Sequence, residues 1–338
     1  MCLDRRDRAA LACARPADPP APALAVLAAA RLPLLPTVIV GVAAAGVLRH
    51  LLGYGTTNRD HESTMDAPQL ITEDHWIDTA HGRVFARSWQ DGDAAAAGLP
   101  PIVLMHDSLG CVRLWGTFPA TLARHSGRRV IAYDRPGFGE SDARADRLGP
   151  DFVRAESTEV FPRLRAQLGI GRFVVMGHSV GGGMATYCAA AAGDDCEALV
   201  TEAAQAFVEE KTLAGIRDAK VQFAQPEQFQ RLARYHGGKT QWVLDAWIGT
   251  WLGPAFADWS LADTLPSVRC PLLAIHGSED EYGSDVHPDM FTRLAGGPAQ
   301  MELMPDTRHV PHREREQQVA QRIAAFLDAV PGMRAAAR

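Results

Sequence analysis

The sequence lacks the cysteine spacings that are typical of zinc-binding and dithiol redox proteins. Its six cysteines are scattered over 338 residues without a C-x-x-C pair. An excess of positive charge is also absent, because the formal net charge is −6. We therefore expect idle thiols in a reducing, cytoplasmic compartment, no metal, no cofactor and no nucleic-acid partner. The cysteines are Cys2, Cys13, Cys111, Cys188, Cys196 and Cys270.

A clear membrane-spanning segment is missing as well. Residues 32–48 are uncharged, but seventeen residues are the lower limit for a span, and Pro33 and Pro36 weaken the first turn. Three interpretations of residues 1–64 stay open: a disordered leader or non-native start before Met65, a membrane anchor, and an export signal. Membrane contact, and a membrane-anchored location, are expected only if residues 32–48 are a genuine anchor.

Short apolar runs recur along the remainder of the chain, with helical patterns between them. Such runs are typical of strands that are buried on both faces. Strands that alternate with helices predict an α/β fold, with a mostly parallel central sheet and helices on both faces. The runs are Ile102–Met105, Val130–Tyr133, Phe173–Met176, Ala198–Thr201, Pro271–Ile275 and Met301–Met304, and the helical patterns include Phe152–Leu168, Ser179–Ala191 and Glu314–Val330.

One interval of some sixty residues breaks this alternation and contains no strand pattern. It carries four tryptophans, of which Trp247 and Trp251 share a helix face because they are four residues apart. They either pack a helical insertion against the main domain or line an apolar substrate pocket. We predict a leader over 1–64, a core formed by 65–208 and 266–332, and a helical cap over 209–265.

A G-x-S-x-G motif follows the Phe173–Met176 run and precedes a helical pattern. Its sequence is Gly177-His178-Ser179-Val180-Gly181. Between a buried strand and a helix, this motif forms a sharp turn that exposes the serine at a helix N-terminus. Free N–H groups and the helix dipole favour developing negative charge there. Ser179 is therefore predicted to be a nucleophile.

A serine nucleophile needs a base, and the base needs an acid. In this arrangement the acid and then the histidine follow the serine along the chain. His309 lies in a loop after the last predicted strand and is the expected base, whereas His312 is interpreted as a surface or helix-entry residue. Asp280, in the acidic turn after Pro271–Ile275, is the expected acid. Glu202, at the end of the preceding strand, is the alternative acid.

An oxyanion hole requires two backbone N–H donors. One is expected from Val180, directly after the nucleophile. The other is expected from the loop after Ile102–Met105, where Ser108 is favoured over its neighbours Asp107 and Leu109. Asp107 also places a side chain near the predicted pocket entrance.

These motifs resemble the α/β-hydrolase superfamily over roughly residues 71–330. The resemblance includes the nucleophile elbow, the oxyanion loop and the segment Tyr133–Ser141, which looks like the turn after the family's fourth strand. Two positions depart from the family pattern, because Asp107 and Arg308 stand where glycine is usual. The resemblance implies a hydrolase that acts on a small-molecule substrate.

Three classes of function follow. The first is hydrolysis of a small, apolar carboxylic ester through an acyl-enzyme. The second keeps the same three residues but cleaves a C–C bond of a dienoate, hydrolyses a thioester or forms a peracid. The third is a non-catalytic ligand-binding scaffold, which the complete set of three residues argues against.

Overall fold

The computed structural model describes residues 70–92 and 98–330. The predicted leader and the uncharged stretch 32–48 therefore lie outside the described residues. Within the described ranges, no helix is both long enough and apolar enough to cross a membrane.

In the described part of the chain, eight strands form one sheet, in the order β1-β2-β4-β3-β5-β6-β7-β8. The pairs β1–β2 and β2–β4 are antiparallel, and all the other neighbours are parallel. The prediction of a mostly parallel sheet is confirmed. The strands are β1 Leu70–Thr79, β2 Gly82–Asp91, β3 Ile102–Met105, β4 Val130–Tyr133, β5 Phe173–His178, β6 Cys196–Glu202, β7 Leu272–Gly277 and β8 Ala299–Met304.

Helices cover both faces of the sheet, and two separate apolar clusters lie between helices and strands. Successive residues of a strand point to opposite faces, so Val103 joins one cluster and Leu104 the other. The central strands therefore consist almost entirely of apolar residues. The helices are α1 Phe118–Ser126, α2 Phe152–Ala155, α3 Phe161–Gln167, α4 Val180–Ala192, α5 Glu210–Phe223, α6 Pro226–His236, α7 Thr240–Trp251, α8 Val286–Leu294, α9 Pro311–Glu314 and α10 Glu316–Ala329.

The helical pattern Phe152–Leu168 is divided near Pro162, the residue expected to kink or divide it. The chain forms two short helices there, α2 and α3, and Pro162 lies in the first turn of α3. Proline has no N–H to donate to a preceding turn and its ring clashes with the carbonyl four residues before it. The helix therefore starts anew at Phe161.

The stretch between β6 and β7 contains α5, α6 and α7, all on the carboxyl side of β6. A single isolated β-bridge joins Phe207 and Ser260 near the two ends of this stretch. The division of the chain into a core and a cap over 209–265 stays a prediction.

Candidate active site

The turn between β5 and α4 holds Ser179 in an unusual backbone conformation. Its φ is 53° and its ψ is −127°, a region that non-glycine residues rarely adopt. The N–H of Ser179 donates to the carbonyl of Glu202, and Gly182 N–H donates to the Ser179 carbonyl. These bonds hold the strained residue at the carboxyl edge of the sheet.

The two glycines of the motif are required by close backbone approach. A Cβ atom on Gly177 would lie 2.0 Å from the carbonyl oxygen of Gly181, and one on Gly181 would lie 2.2 Å from the carbonyl oxygen of Met105. Neither space can hold a methyl group. The backbone of the turn is therefore in close contact both with β3 and with the first residues of α4.

The hydroxyl of Ser179 donates to Oε1 of Gln205 at 3.2 Å. In the described part of the chain it makes no hydrogen bond to His309. Gln205 is buried and follows β6 by three residues, after Ala203, which has a φ of 47°. The sequence analysis missed Gln205, because its approach to Ser179 depends on this turn rather than on a motif.

Asp280 and His309 form a buried carboxylate–imidazole pair. Nδ1 of His309 is 2.9 Å from Oδ1 and 3.0 Å from Oδ2 of Asp280. The Asp280 carboxylate also accepts hydrogen bonds from the N–H groups of Tyr282 and Gly283, at 2.7 and 3.0 Å. Nε2 of His309 is the ring nitrogen that Asp280 leaves available.

This pairing changes the basicity of both groups. Burial alone lowers the pKa of His309, but the charge and hydrogen bonds of Asp280 outweigh it and raise the pKa to about 9. Burial alone raises the pKa of Asp280, but His309 and the backbone donors lower it to about 2. His276, whose Nε2 is 3.4 Å from Oδ2, also favours the ionised carboxylate. Asp280 is thus held as an anion beside His309.

The N–H groups of Ser108 and Val180 have no hydrogen-bond acceptor within the described residues. Val180 begins α4, where the first N–H groups of a helix lack intrahelical partners. Arg135 holds the loop that carries Ser108 through two hydrogen bonds. Its guanidinium donates to the carbonyl of Asp107 at 2.6 Å, and its backbone N–H donates to Nε2 of His106 at 3.1 Å. Neither N–H is therefore engaged by another described residue.

Glu202 contacts His312, not His309. Its carboxylate accepts a hydrogen bond from the backbone N–H of His312 at 2.7 Å and lies 2.5 Å from Nδ1 of that ring. His178 lies beside this pair and donates from Nε2 to the carbonyl of His309 at 2.8 Å. His312 is buried, so it is not a surface residue, but it lies in the first turn of α9, as the helix-entry interpretation expected.

His178, Glu202 and His312 are close enough together to be considered as metal ligands. The hydrogen bonds between Glu202 and His312 and from His178 to His309 already use these groups. We interpret the cluster as a support for the His309 loop rather than as a metal centre.

One cavity of about 60 Å³ joins most of the predicted site residues. Asp280 lies behind His309, and Val180 follows Ser179. The cavity is mainly apolar, and its described lining contains neither lysine nor arginine. The lining residues are Asp107, Ser108, Leu109, Ser179, Gln205, Thr212, Ile216, Trp247, Trp251, Tyr282, His309 and Val310.

Comparison with known proteins agrees with this geometry. Residues 100–241 match the family described as the α/β hydrolase fold. A solved structure of a membrane phospholipase A, described as a bacterial virulence factor, superposes with a TM-score of 0.63 and covers 88% of this chain and 94% of its own, at 20% identity. The chain is thus similar to α/β hydrolases over these residues and has the α/β-hydrolase fold.

Two curated relatives of this α/β hydrolase carry lipase names. The mouse sn-1-specific diacylglycerol lipase ABHD11 is 32% identical over 110 residues, which are 32% of this chain and 33% of that protein. The rat lysophosphatidylserine lipase ABHD12 is 25% identical over 211 residues, 61% of this chain and 47% of that protein. The chain thus matches less than half the length of these relatives. The comparisons support a hydrolase with the α/β fold.

Proposed function

We propose that this α/β hydrolase is a serine esterase that uses Ser179, His309 and Asp280 to cleave a small, uncharged carboxylic ester. The observation that carries the proposal is the Asp280–His309 pair, which lies at the same cavity as a strained, helix-capping Ser179. Proximity of a nucleophile, a base and an oriented acid is the arrangement that acyl transfer requires.

In the first half of the reaction, the Ser179 hydroxyl leaves Gln205 and turns to Nε2 of His309. His309 accepts its proton as Oγ attacks the ester carbonyl, and Asp280 stabilises the imidazolium. The N–H groups of Val180 and Ser108 bind the oxyanion. His309 then donates the proton to the leaving alcohol, and an acyl-enzyme remains.

In the second half, a water molecule takes the place of the alcohol. His309 accepts a proton from this water as it attacks the acyl carbonyl, and the oxyanion again binds to Val180 and Ser108. Collapse of the intermediate returns the proton to Ser179 Oγ. The carboxylic acid leaves and the enzyme is restored.

The cavity lining argues for an uncharged acyl group. Asp107 is the acidic residue of the lining, and the lining contains no lysine or arginine to hold a carboxylate. A dienoate would bring its own carboxylate close to Asp107 and would be repelled. Trp247, Trp251 and Ile216 instead offer apolar surface for a short alkyl chain. This favours esters over the dienoates of C–C bond hydrolases; thioesters with the same acyl group fit the same surface.

The experiment compares wild type and Ser179→Ala on p-nitrophenyl acetate, butyrate and hemisuccinate. We expect turnover of the two uncharged esters, and a loss of about 10⁶ in kcat in the variant. The hemisuccinate, which differs from the butyrate by a terminal carboxylate, should react at least about tenfold more slowly.

Unchanged kcat in Ser179→Ala would overturn the nucleophile. A preference for the hemisuccinate would overturn the uncharged acyl group but leave the nucleophile intact. Thermal unfolding of the variant is the control for its fold.

A further inference from the structure

A pair of cysteines lies at the end of the sheet opposite to Ser179. Cys196 begins β6, and Cys270 lies two residues before β7. The two strands are parallel neighbours with Leu199 opposite Leu272. Because β6 is seven residues long, its two ends are about 20 Å apart. The pair is therefore remote from the proposed active site.

The two sulfur atoms are 3.7 Å apart. A disulfide bond is about 2 Å long, so the sulfurs need to approach each other by less than about 2 Å. Rotation about the side-chain bonds of the two cysteines is the movement that a disulfide would require here. No disulfide joins these two residues in the structure, and both are free thiols.

The two thiols differ in access and acidity. Cys196 is buried, whereas Cys270 is half-buried and can be reached by a small reagent. The sulfur–sulfur hydrogen bond lowers the pKa of Cys270 and raises that of Cys196. Because the thiolate is the reactive form, Cys270 reacts first and Cys196 is placed to resolve its product.

We propose that Cys196 and Cys270 form a dithiol site for two-electron oxidants of the hydroperoxide class, which convert the pair to a disulfide. The Cys270 thiolate attacks one oxygen of hydrogen peroxide, the O–O bond breaks, and the leaving hydroxide takes up a proton to give water. Cys270 becomes a sulfenic acid. The Cys196 sulfur then attacks the Cys270 sulfur, and a second water leaves with the Cys196 proton. Two thiols are oxidised, and one peroxide is reduced to two waters.

The disulfide would close a long loop of the chain. The two cysteines are 74 positions apart, and Gln205 and helices α5 to α7 lie between them. A cross-link over such a loop restricts the unfolded chain and so favours the folded state. We expect the oxidised protein to unfold at a higher temperature, by at least about 5 °C, and to keep its activity because Ser179 is far away.

The test treats the full chain with hydrogen peroxide, blocks the remaining thiols, digests with trypsin and identifies linked peptides by mass spectrometry. Cleavage after lysine and arginine gives the peptides Phe173–Lys211 and Cys270–Arg293. The expected product is these two peptides joined with the loss of two hydrogens. Dithiothreitol should separate them and remove the shift in unfolding temperature.

Cys188 lies in the same first peptide and provides the matched control. It is buried like Cys196, so Cys188→Ser should keep the linked product, whereas Cys196→Ser and Cys270→Ser should lose it. Absence of the link in oxidised wild type, or its persistence in Cys196→Ser, would overturn the proposal. A linked product with an unchanged unfolding temperature would overturn the predicted stabilisation.

Discussion

At the scale of single residues, the proposed chemistry depends on how Asp280 sets the basicity of His309. A general base must be neutral before it accepts a proton, and Asp280 raises the pKa of this imidazole. Activity should therefore fall as the pH drops through the raised pKa. We expect kcat/KM to fall at acidic pH, with a midpoint above pH 6.5, the ordinary pKa of histidine.

The Asp280→Asn variant separates this effect from simple loss of structure. The neutral amide removes the charge that raises the pKa of His309, so the acid-side midpoint should move to lower pH. The amide also no longer stabilises the imidazolium, and kcat should fall by about 10⁴. Glu281→Gln is the comparison variant, because Glu281 accepts a hydrogen bond from the backbone N–H of His309 and raises the pKa of the ring less than Asp280 does, so its removal should move the midpoint less. A wild-type pH profile in Asp280→Asn would contradict the prediction.

Gln205 and Glu202 show which residues of the site a sequence can and cannot reveal. Ser179 and His309 stand in recognisable local contexts, a strand–turn–helix motif and the loop after the last strand. Gln205 reaches Ser179 only because Ala203 adopts a positive φ and reverses the chain after β6. Glu202, the alternative acid, ends the strand that precedes the Asp280 strand, and the structure pairs it with His312 rather than with His309.

At the scale of elements, the β5–α4 turn is the part of the site that tolerates substitution least. A Cβ on Gly181 would overlap the carbonyl oxygen of Met105 on β3. Gly181→Ala must therefore displace either α4 or β3. We expect a loss of stability of about 1–3 kcal/mol and a loss of activity of at least about 10². Urea unfolding and ester turnover measure the two effects.

Gly249→Ala is the matched control for this substitution. Gly249 lies in α7, and a Cβ there would meet no atom within 4 Å. Because alanine favours a helix over glycine by about 1 kcal/mol, this variant should be unchanged or slightly more stable. Equal behaviour of the two alanine variants would contradict the tight fit inferred for Gly181.

Helix α7 also sets the size of the cavity. Trp247 lines the cavity and is buried, whereas its neighbour Ile248 is half-buried and is not among the lining residues. Trp247→Ala should enlarge the acyl site and raise the ratio of kcat/KM for an octanoyl ester to that for an acetyl ester by at least about tenfold. Ile248→Ala should leave this ratio unchanged. A wild-type ratio in Trp247→Ala would show that the tryptophan only packs α7.

Some strands are indicated by an apolar run in the sequence, whereas others, such as β1, have no such run. The apolar runs of β3 to β7 are visible because both of their faces are buried. Strand β1 was missed because most of its residues are exposed or half-buried at the sheet edge and only Ile77 is buried. Its stability comes from ten paired positions with β2, which no local pattern reveals.

At the scale of the whole molecule, the topology brings distant segments to one edge of the sheet. The central strands run in parallel, so the turns after β3, β5, β6 and β7 and the loop after β8 all open at their carboxyl ends. Five separate parts of the chain thereby supply Ser108, Ser179, Gln205, Asp280 and His309. The order of strands and helices predicts the fold class and the position of the site at the carboxyl edge of the sheet. The small volume of the cavity instead depends on how α5 and α7 pack over it.

Ser179 is proposed to be the activated serine of this chain, and covalent labelling with a fluorophosphonate detects such a serine. Tryptic mapping of the labelled full-length protein should place the modification on Ser179 within the peptide Phe173–Lys211, and both Ser179→Ala and heat-unfolded wild type should remain unlabelled. Folded wild type that stays unlabelled, or label that persists in Ser179→Ala, would contradict the account.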